Sequence, residues 1–215
     1  MSKLLSTMEK QEIIKAYSNY VLDKNRRPES MYIFAKELNI EEAEIYEQFT
    51  GFSQIEEEII NHFIQNSIDL TLNNSKDEET GSKEKLLTFY FTLVEVFKMN
   101  RSLVNFILPI ERGELIRFKP MKRSKKTFLS FLNSLKIEAP ALSFIPNMEF
   151  KDKAIATGAW IQFCSIVFYW LKDSSSNFEK TDIFIEKSLR LSFDLKESSV
   201  MESFIDFGKF MFNKS

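Results

Sequence analysis

The chain contains few of the residues that interrupt helices or build reactive sites. Its 215 residues include five glycines, five prolines, one cysteine and one histidine. So few helix-breaking residues leave long segments with 3.6-residue periodicity, which favours an all-α fold. The single cysteine, Cys164, cannot form an internal disulfide, and a reducing cytoplasm is therefore the expected location.

The same scarcity argues against catalysis and metal binding. One histidine, His62, and one cysteine are too few for a zinc site of the usual kind. The chain also lacks a glycine-rich phosphate loop and a G-x-S-x-G sequence, so we predict no enzyme activity, no metal and no cofactor. Its longest apolar stretches, such as residues 166–171, are much shorter than the roughly 20 residues of a membrane span. We therefore predict no membrane span.

Apolar residues recur at helical spacing along most of the chain. This pattern predicts helices over residues 8–23, 29–38, 41–47, 53–73, 83–99, 151–172, 178–195 and 198–212, with shorter helical segments between 102 and 135. Ser53 is the predicted N-cap of the fourth helix. A loop is predicted over residues 138–150, which contain two prolines, and residues 73–85 form the clearest polar break.

Residues 30–52 have the pattern of two short helices joined by a tight turn. Asn39 lies where the chain must reverse, and asparagine tolerates the left-handed conformation that such a turn often needs. The apolar residues that this pattern places on the inner side of the motif are Met31, Phe34, Ala35, Leu38, Ile40 and Ile45.

This motif resembles the head of the tetracycline-repressor (TetR) family of bacterial one-component regulators. The residues that carry the resemblance are Phe34, Ala35, Lys36, Asn39, Ile40, Ile45, Tyr46, Phe49 and the acidic-aliphatic run 55–59. The resemblance implies a three-helix helix-turn-helix head over residues 1–52. It implies a connecting helix and a C-terminal ligand-binding and dimerisation bundle over residues 53–215. The function implied is that of a homodimeric, DNA-binding repressor that responds to a small ligand.

The second helix of the motif has an unusual charge for an element that reads DNA. Residues 1–66 hold seven basic and twelve acidic residues, a net charge of −5, although DNA binding depends on lysine and arginine to neutralise phosphates. From the resemblance, the candidate DNA-binding residues are Arg26, Arg27, Ser30, Lys36, Glu41, Glu42, Glu44, Tyr46 and Gln48. Tyr46 corresponds to a tyrosine that usually touches phosphate, and its alternative role is packing against the first helix.

Residues 111–126 have the opposite charge, with seven basic and two acidic residues and a net charge of +5. One interpretation is a solvated face that pairs with the acidic head of the same or a neighbouring molecule. The other is a site for an anionic partner such as a lipid headgroup, a phosphorylated ligand or nucleic acid. The candidate residues for that site are Arg117, Lys119, Lys122, Arg123, Lys125 and Lys126.

The resemblance also implies a cavity for a small hydrophobic ligand in the body. The candidate lining residues are Phe89, Phe97, Phe106, Phe131, Trp160, Phe163 and Tyr169. Each of them can instead be ordinary core, because the chain contains 22 phenylalanines. Family members usually dimerise through two C-terminal helices, which correspond here to residues 151–172 and either 178–195 or 198–212. Gly158 and Ala159 would permit close helix approach.

Residues 170–189 further resemble the C-terminal part of a TetR-fold accessory protein of ubiquinone biosynthesis, which binds isoprenoid lipids. The shared features are a tryptophan-containing helix, an Asp-Ser break, and a helix start with aromatic, acidic and threonine residues. Asp173 and Thr181 are also simple helix-capping signals. A second function therefore remains open: a TetR-fold protein that has lost DNA recognition and binds a hydrophobic or anionic ligand such as a lipid.

Overall fold

The computed structural model describes residues 9–74, 81–108, 121–137 and 148–197. Within these ranges the secondary structure is helical and contains no strand, so the predicted all-α fold is confirmed. The helices are α1 (Lys10–Lys24), α2 (Met31–Leu38), α3 (Glu42–Tyr46), α4 (Phe52–Asn74), α5 (Ser82–Met99), α6 (Arg101–Ile107), α7 (Lys122–Ser134), α8 (Met148–Lys172) and α9 (Glu179–Glu197). A short 3-10 turn at Ser176–Phe178 precedes α9.

The start of α4 differs from its prediction. The helix begins at Phe52, so Ser53 lies inside it and its predicted role as N-cap is wrong. A neighbouring residue supplies the local hydrogen bonds instead. The N–H and the hydroxyl of Thr50 donate to the side-chain oxygen of Gln54 at 2.6 and 3.0 Å.

The start of α8 also differs from its prediction. The helix begins at Met148, three residues before the predicted start at 151, which shortens the predicted loop over 138–150. Residues 138–147 of that loop and the predicted helix at 198–212 lie outside the described residues. The other helices with predicted bounds agree within two residues at each end, because local caps and local apolar spacing define them.

The described residues belong to two compact units. The first lies within Met1–Ser67 and Glu95–Thr127, and the second lies within Ile68–Val94 and Phe128–Ser215. The helices α4, α5 and α7 therefore each contribute residues to both units. This grouping reflects packing, and it does not test the predicted functional boundary between residues 52 and 53.

Aromatic and isoleucine side chains form the core of the first unit. Tyr17 stacks on Phe52 with a centroid distance of 5.5 Å and meets Phe34 edge to face at 5.9 Å. The isoleucines of α4 continue this core, because the spacing of Ile55, Ile59, Ile60 and Ile64 buries one side of the helix. The helices α1 and α6 also pack on each other in this unit.

In the second unit, α8 packs on α9, and a buried carboxylate holds their connection. The Asp173 carboxylate accepts from the N–H and the hydroxyl of Ser175 at 2.8 and 2.6 Å. It also accepts from the N–H and the hydroxyl of Thr181 at 2.9 and 2.7 Å. Burial alone would raise the pKa of Asp173, but these four hydrogen bonds outweigh burial and lower the pKa to about 2. Asp173 and Thr181, which contribute to the resemblance to the ubiquinone-biosynthesis accessory protein, therefore form a hydrogen-bonded cap at the start of α9.

Candidate functional site

The first candidate site is the pair of short helices α2 and α3. Ser30 caps α2 by accepting from the N–H of Ile33 at 3.2 Å. Asn39 ends α2 in the left-handed conformation, with φ of 56°, as the sequence predicts. The two helices pack on each other, and Phe34 and Ile45 are buried. The segment is therefore a helix pair joined by a tight turn.

Two glutamates of α3 stabilise the helix that they begin. Glu41 is the N-cap, and its N–H donates to the Glu44 carboxylate at 3.0 Å as one half of a reciprocal capping box. Glu42 lies in the first turn, where a negative charge interacts favourably with the positive end of the helix dipole. Glu47 is exposed at the other end. The acidic character of α3 thus has a local structural cause.

The remaining candidate DNA-binding residues occupy different environments. Lys36 is exposed, and Tyr46 is 50% exposed. Arg26 is also exposed and forms a surface ion pair with Glu29 at 3.2 Å. Gln48 is half-buried. Solvent therefore reaches all four of the positively charged or aromatic candidates, because the Arg27 side chain is also 50% exposed.

Arg27 is bound by a carboxylate that the sequence did not connect to it. Its Nε and Nη2 donate to the two oxygens of Glu56 at 2.8 and 2.6 Å. The hydroxyl of Tyr17 donates to the same fully buried carboxylate at 2.6 Å. The hydrogen bond to Glu56 raises the pKa of Arg27, while burial and Glu56 raise the pKa of Tyr17 well above its usual range. This network joins α1 and α4 to the segment that precedes α2.

The predicted patch for an anionic partner is described only in part. Arg117 and Lys119 lie outside the described residues. Lys122 and Lys126 are exposed at the start of α7, and Lys125 is half-buried. These three lysines leave positive charge at the surface of the first two turns.

Arg123, the fourth described member of that patch, contacts α4 within the first unit. Its N–H donates to the Glu57 carboxylate at 2.6 Å, and its guanidinium pairs with Glu58. Glu58 also pairs with Lys10 of α1 at 2.9 Å. The sequence analysis left open that the basic segment pairs with acidic residues of the same molecule, but it did not identify which carboxylates do so. The available signal was an acidic run and a basic run of complementary charge, but their spacing along the chain says nothing about register.

Four of the seven predicted pocket residues meet in one aromatic cluster of the second unit. The aromatic cluster consists of Phe89, Tyr90, Phe128, Phe131, Trp160 and Phe163. Its closest pair is Phe128 with Phe163, whose centroids are 4.7 Å apart. The prediction did not include Tyr90 and Phe128. Phe128 precedes Phe131 by three residues on α7, and this helical spacing was the signal that could have found it.

The other three predicted pocket residues make different contacts. Phe97 and Phe106 belong to the first unit, where Phe97 meets Phe63 at 6.3 Å. Tyr169 of α8 stacks on Phe184 of α9 at 4.4 Å with nearly parallel rings. The seven residues were predicted because they are aromatic. Which of them lie together depends on which helix faces pack against each other, and the sequence does not show this. The contacts described for Phe97 and Tyr169 are with residues outside the aromatic cluster, and a single pocket of all seven residues stays a prediction.

Tyr90 is fully buried in the aromatic cluster. The rings of Phe89, Phe128 and Phe163 lie 5.3, 6.2 and 6.3 Å from its ring. Its hydroxyl has no hydrogen-bond partner among the residues that the structure describes. Burial and, secondarily, the thiol of Cys164 raise the pKa of Tyr90 well above its usual range.

Exposed apolar side chains lie on α8 and α9, which correspond to two of the segments predicted for dimerisation. Ile161 of α8 and Leu191 of α9 are both 59% exposed, and Ile183 is 50% exposed. Gln162 donates to the hydroxyl of Ser192 at 2.8 Å and links the two helices beside these residues. Gly158 is also exposed.

Other features add no reactive site to the described part of the chain. His62 is exposed on α4, and Cys164 is buried. Within the described ranges, no three His, Cys, Asp or Glu side chains are grouped so that they could hold a metal ion. None of the described helices combines the length and apolarity that crossing a membrane requires.

The comparisons with known proteins address the family. Residues 85–211 match the family model of the tetracyclin repressor-like C-terminal domain, and this match covers more than half of the chain. No curated protein and no solved structure matches the chain. An all-helical chain with this domain falls in the class of tetracycline-repressor-type transcriptional regulators. The chain belongs to the tetracycline-repressor family, as the sequence resemblance predicts.

Proposed function

We propose that the chain is a cytoplasmic, homodimeric transcriptional regulator that binds DNA through α2 and α3 and responds to a small hydrophobic ligand. The observation that carries this proposal is the tight α2–turn–α3 pair in a chain that also contains the C-terminal domain of the family. In DNA-binding motifs of this kind, the second helix enters the major groove and the first crosses the backbone. The proposal includes no catalytic step and no cofactor.

The residues proposed to contact DNA are chosen because solvent reaches their side chains. Arg26, Lys36 and Tyr46 are exposed and are suited to phosphate contacts, since cations and tyrosine hydroxyls commonly bind phosphate oxygens. Arg27 is proposed to orient the segment before α2 through Glu56, rather than to bind DNA. Its role would then be that of a positioning residue.

The glutamates of α3 are compatible with this role if most of them serve the helix itself. The carboxylate of Glu44 accepts a hydrogen bond from the backbone of Glu41, which reduces its capacity to repel phosphate. Glu42 and Glu47 have no such assignment, and a glutamate can accept from cytosine N4. We therefore expect DNA binding with a modest affinity and a strong dependence on salt.

Dimerisation is proposed through α8 and α9. The exposed side chains of Ile161, Ile183 and Leu191 supply apolar surface on these helices, and a second copy would remove it from water. Such a face suits a two-fold symmetric contact, because each copy presents the same patch.

The helix α7 is proposed to connect ligand binding with the DNA-binding head. In the second unit, Phe128 and Phe131 of α7 belong to the aromatic cluster. In the first unit, Arg123 pairs with Glu58, and the Thr127 hydroxyl donates to Asn61 of α4 at 2.6 Å. A ligand that displaces α7 would alter these contacts. It changes DNA affinity only if it binds the two states unequally.

The experiment that tests this function measures retention of genomic DNA fragments by the purified chain across a salt series. The fragments include the region upstream of its own gene. We expect specific retention of one or a few fragments, with a loss of affinity as salt rises, because bound phosphates release counterions. An absence of specific retention even at low salt would contradict the proposal.

Two lysine variants provide a matched comparison for that assay. Lys36→Ala removes an exposed positive charge from α2, and Lys15→Ala removes one from the exposed face of α1. We expect Lys36→Ala to weaken retention and reduce its salt dependence, while Lys15→Ala has a smaller effect. Equal effects would mean that α2 and α3 are not the DNA-binding element.

One observation favours a second function. Glu42 begins α3 and Glu47 follows its last residue, at positions where a DNA-binding protein usually carries basic or hydroxyl residues. In the second function the chain keeps the fold, does not bind DNA, and binds a hydrophobic or anionic ligand such as a lipid. The exposed Lys122 and Lys126 would then meet an anionic group. Mass spectrometry of an organic extract from the purified chain would identify such a molecule.

A further inference from the structure

The buried hydroxyl of Tyr90 lacks the partner that such a group normally has. Tyr90 is fully buried, and no described residue accepts from or donates to its hydroxyl. Buried polar side chains are hydrogen-bonded in the great majority of native proteins, because an unsatisfied one loses its bonds to water without compensation. A phenylalanine at this position would avoid that cost. The hydroxyl is therefore explained if something outside the described residues binds it.

The surroundings of this hydroxyl define the chemistry of a suitable partner. The rings of Phe89, Phe128 and Phe163 surround the Tyr90 ring, and none of them offers a hydrogen-bond acceptor or a positive charge. The thiol of Cys164, which also acts on Tyr90 electrostatically, carries no positive charge either. A carboxylate or phosphate would be buried here without a compensating cation, at a high energetic cost. A neutral carbonyl oxygen has no such cost and accepts from a tyrosine hydroxyl.

One edge of the aromatic cluster contains a pair of stacked, planar side chains. Trp160 is only half-buried, so it lies on the solvent side of the cluster. Its ring stacks on Phe163 at 5.0 Å with an angle of 10° between the planes. For another planar ring to stack on this face of Phe163, Trp160 would have to leave it.

We propose that the aromatic cluster binds a flat, neutral aromatic carbonyl compound, whose oxygen accepts a hydrogen bond from Tyr90 and whose ring stacks on Phe163. This inference rests on the ligand-binding part of the proposed function and names the chemical class of that ligand. Tyr90 determines specificity, since it distinguishes a carbonyl compound from a hydrocarbon of the same shape. The phenylalanine rings supply the remaining contacts.

The test uses two probes of nearly equal size, 2-acetylnaphthalene and 2-isopropylnaphthalene, with the full-length chain. Isothermal calorimetry measures their affinities for the wild type and for Tyr90→Phe, and tryptophan fluorescence reports displacement of Trp160. We expect the wild type to bind the ketone about tenfold more tightly than the hydrocarbon, the size of one hydrogen bond to a buried donor. Tyr90→Phe should bind the two probes equally.

Two controls make the result interpretable. Tyr32→Phe removes a hydroxyl from an exposed tyrosine of α2 and should keep the preference for the ketone. Tyr90→Phe should fold at least as stably as the wild type, because it removes an unsatisfied hydroxyl. The inference is overturned if neither probe binds the wild type, if both bind equally, or if the preference survives in Tyr90→Phe.

The outcome can be separated from that of the DNA assay. Selective ketone binding without DNA retention would support this site and contradict the regulator proposal. DNA retention without binding of either probe would leave the regulator proposal intact and overturn the site.

Discussion

Glu56 links three structural elements through a single buried carboxylate. It accepts from the hydroxyl of Tyr17 on α1 and from two nitrogens of Arg27, which lies between α1 and α2. A buried carboxylate is tolerated only when its oxygens are paired, and here both are. Its position in the acidic run at the start of α4 gave no indication of this role. The network therefore stabilises the arrangement of α1, α4 and the start of the α2–α3 pair.

We predict that Glu56→Ala destabilises the chain by about 3 kcal/mol in urea unfolding, because it leaves a buried hydroxyl and a partly buried guanidinium without their acceptor. Glu29→Ala serves as the control, since Glu29 pairs with Arg26 at the surface. That variant should change stability by less than about 0.5 kcal/mol. Similar losses for the two variants would show that the Glu56 network contributes little.

At the same scale, Asp173 gives a pH-dependent prediction. Its pKa is lowered from 3.8 to about 2 in the folded chain, because four hydrogen bonds favour the ionised form despite burial. The stability that ionised Asp173 contributes is fully present above the unfolded pKa of 3.8. It is lost as the pH falls toward the folded value of about 2.

We therefore predict that Asp173→Asn costs about 2 kcal/mol at pH 7 and that this difference from the wild type shrinks below about pH 4. Urea unfolding at a series of pH values measures it. Asp194→Asn is the control, because Asp194 is exposed and pairs with Arg190 at 3.5 Å. A difference between wild type and Asp173→Asn that stays constant down to pH 3 would contradict the assigned cap.

Among the helices, α3 allows the effect of its negative charge on DNA binding to be tested apart from the effect of its N-terminal cap on stability. Glu41 and Glu44 form the capping box, whereas Glu42 and Glu47 have no capping bond among the described residues. A pair of substitutions at either set produces the same change in net charge. Only one of the two sets removes the cap.

We predict that Glu42→Lys with Glu47→Lys leaves the free energy of unfolding nearly unchanged, while Glu41→Lys with Glu44→Lys lowers it by about 1 kcal/mol. Both double variants should bind DNA more tightly than the wild type and with a steeper salt dependence, because each adds positive charge. Urea unfolding and DNA retention are measured on the same preparations. An equal loss of stability in the two variants would refute the assigned capping box.

For the whole molecule, the testable property is assembly. The exposed apolar residues of α8 and α9 predict a dimer with twice the chain mass of 25.3 kDa. We expect Ile161→Asp with Leu191→Asp to yield a monomer in light scattering coupled to size exclusion, because a charge buried in the interface lacks a partner. Met99→Asp changes a residue that is 75% exposed at the end of α5 and should remain dimeric. A monomeric wild type would contradict the proposed interface.

Predictions that depend on neighbouring residues agree with the structure better than predictions of contacts between residues far apart along the chain. The cap at Ser30 and the left-handed turn at Asn39 were predictable, because each depends on a few adjacent residues. Ser53 was misassigned because Thr50 and Gln54 form a local hydrogen-bonded pair that starts the helix earlier. The prediction did not anticipate that competing pair.

The candidate sites were only partly predictable for a related reason. Aromatic composition identified Phe89, Phe131, Trp160 and Phe163, but it could not separate them from Phe97, which packs on Phe63 in the first unit. The cluster becomes defined only when the faces of α5, α7 and α8 meet. The DNA-binding and ligand-binding roles remain predictions for the experiments above.

The sequence by itself determined the all-α fold, most helix bounds and the family, because helical periodicity, caps and the resemblance are properties of short segments. The tertiary structure decided which charges are paired and which hydroxyl is buried. It assigned Arg27 to Glu56 and Arg123 to Glu57 and Glu58, residues that lie far apart along the chain. It also enclosed Tyr90 among aromatic rings without a partner for its hydroxyl in the described part of the chain. Such contacts depend on the packing of distant helix faces, and local spacing does not encode that register.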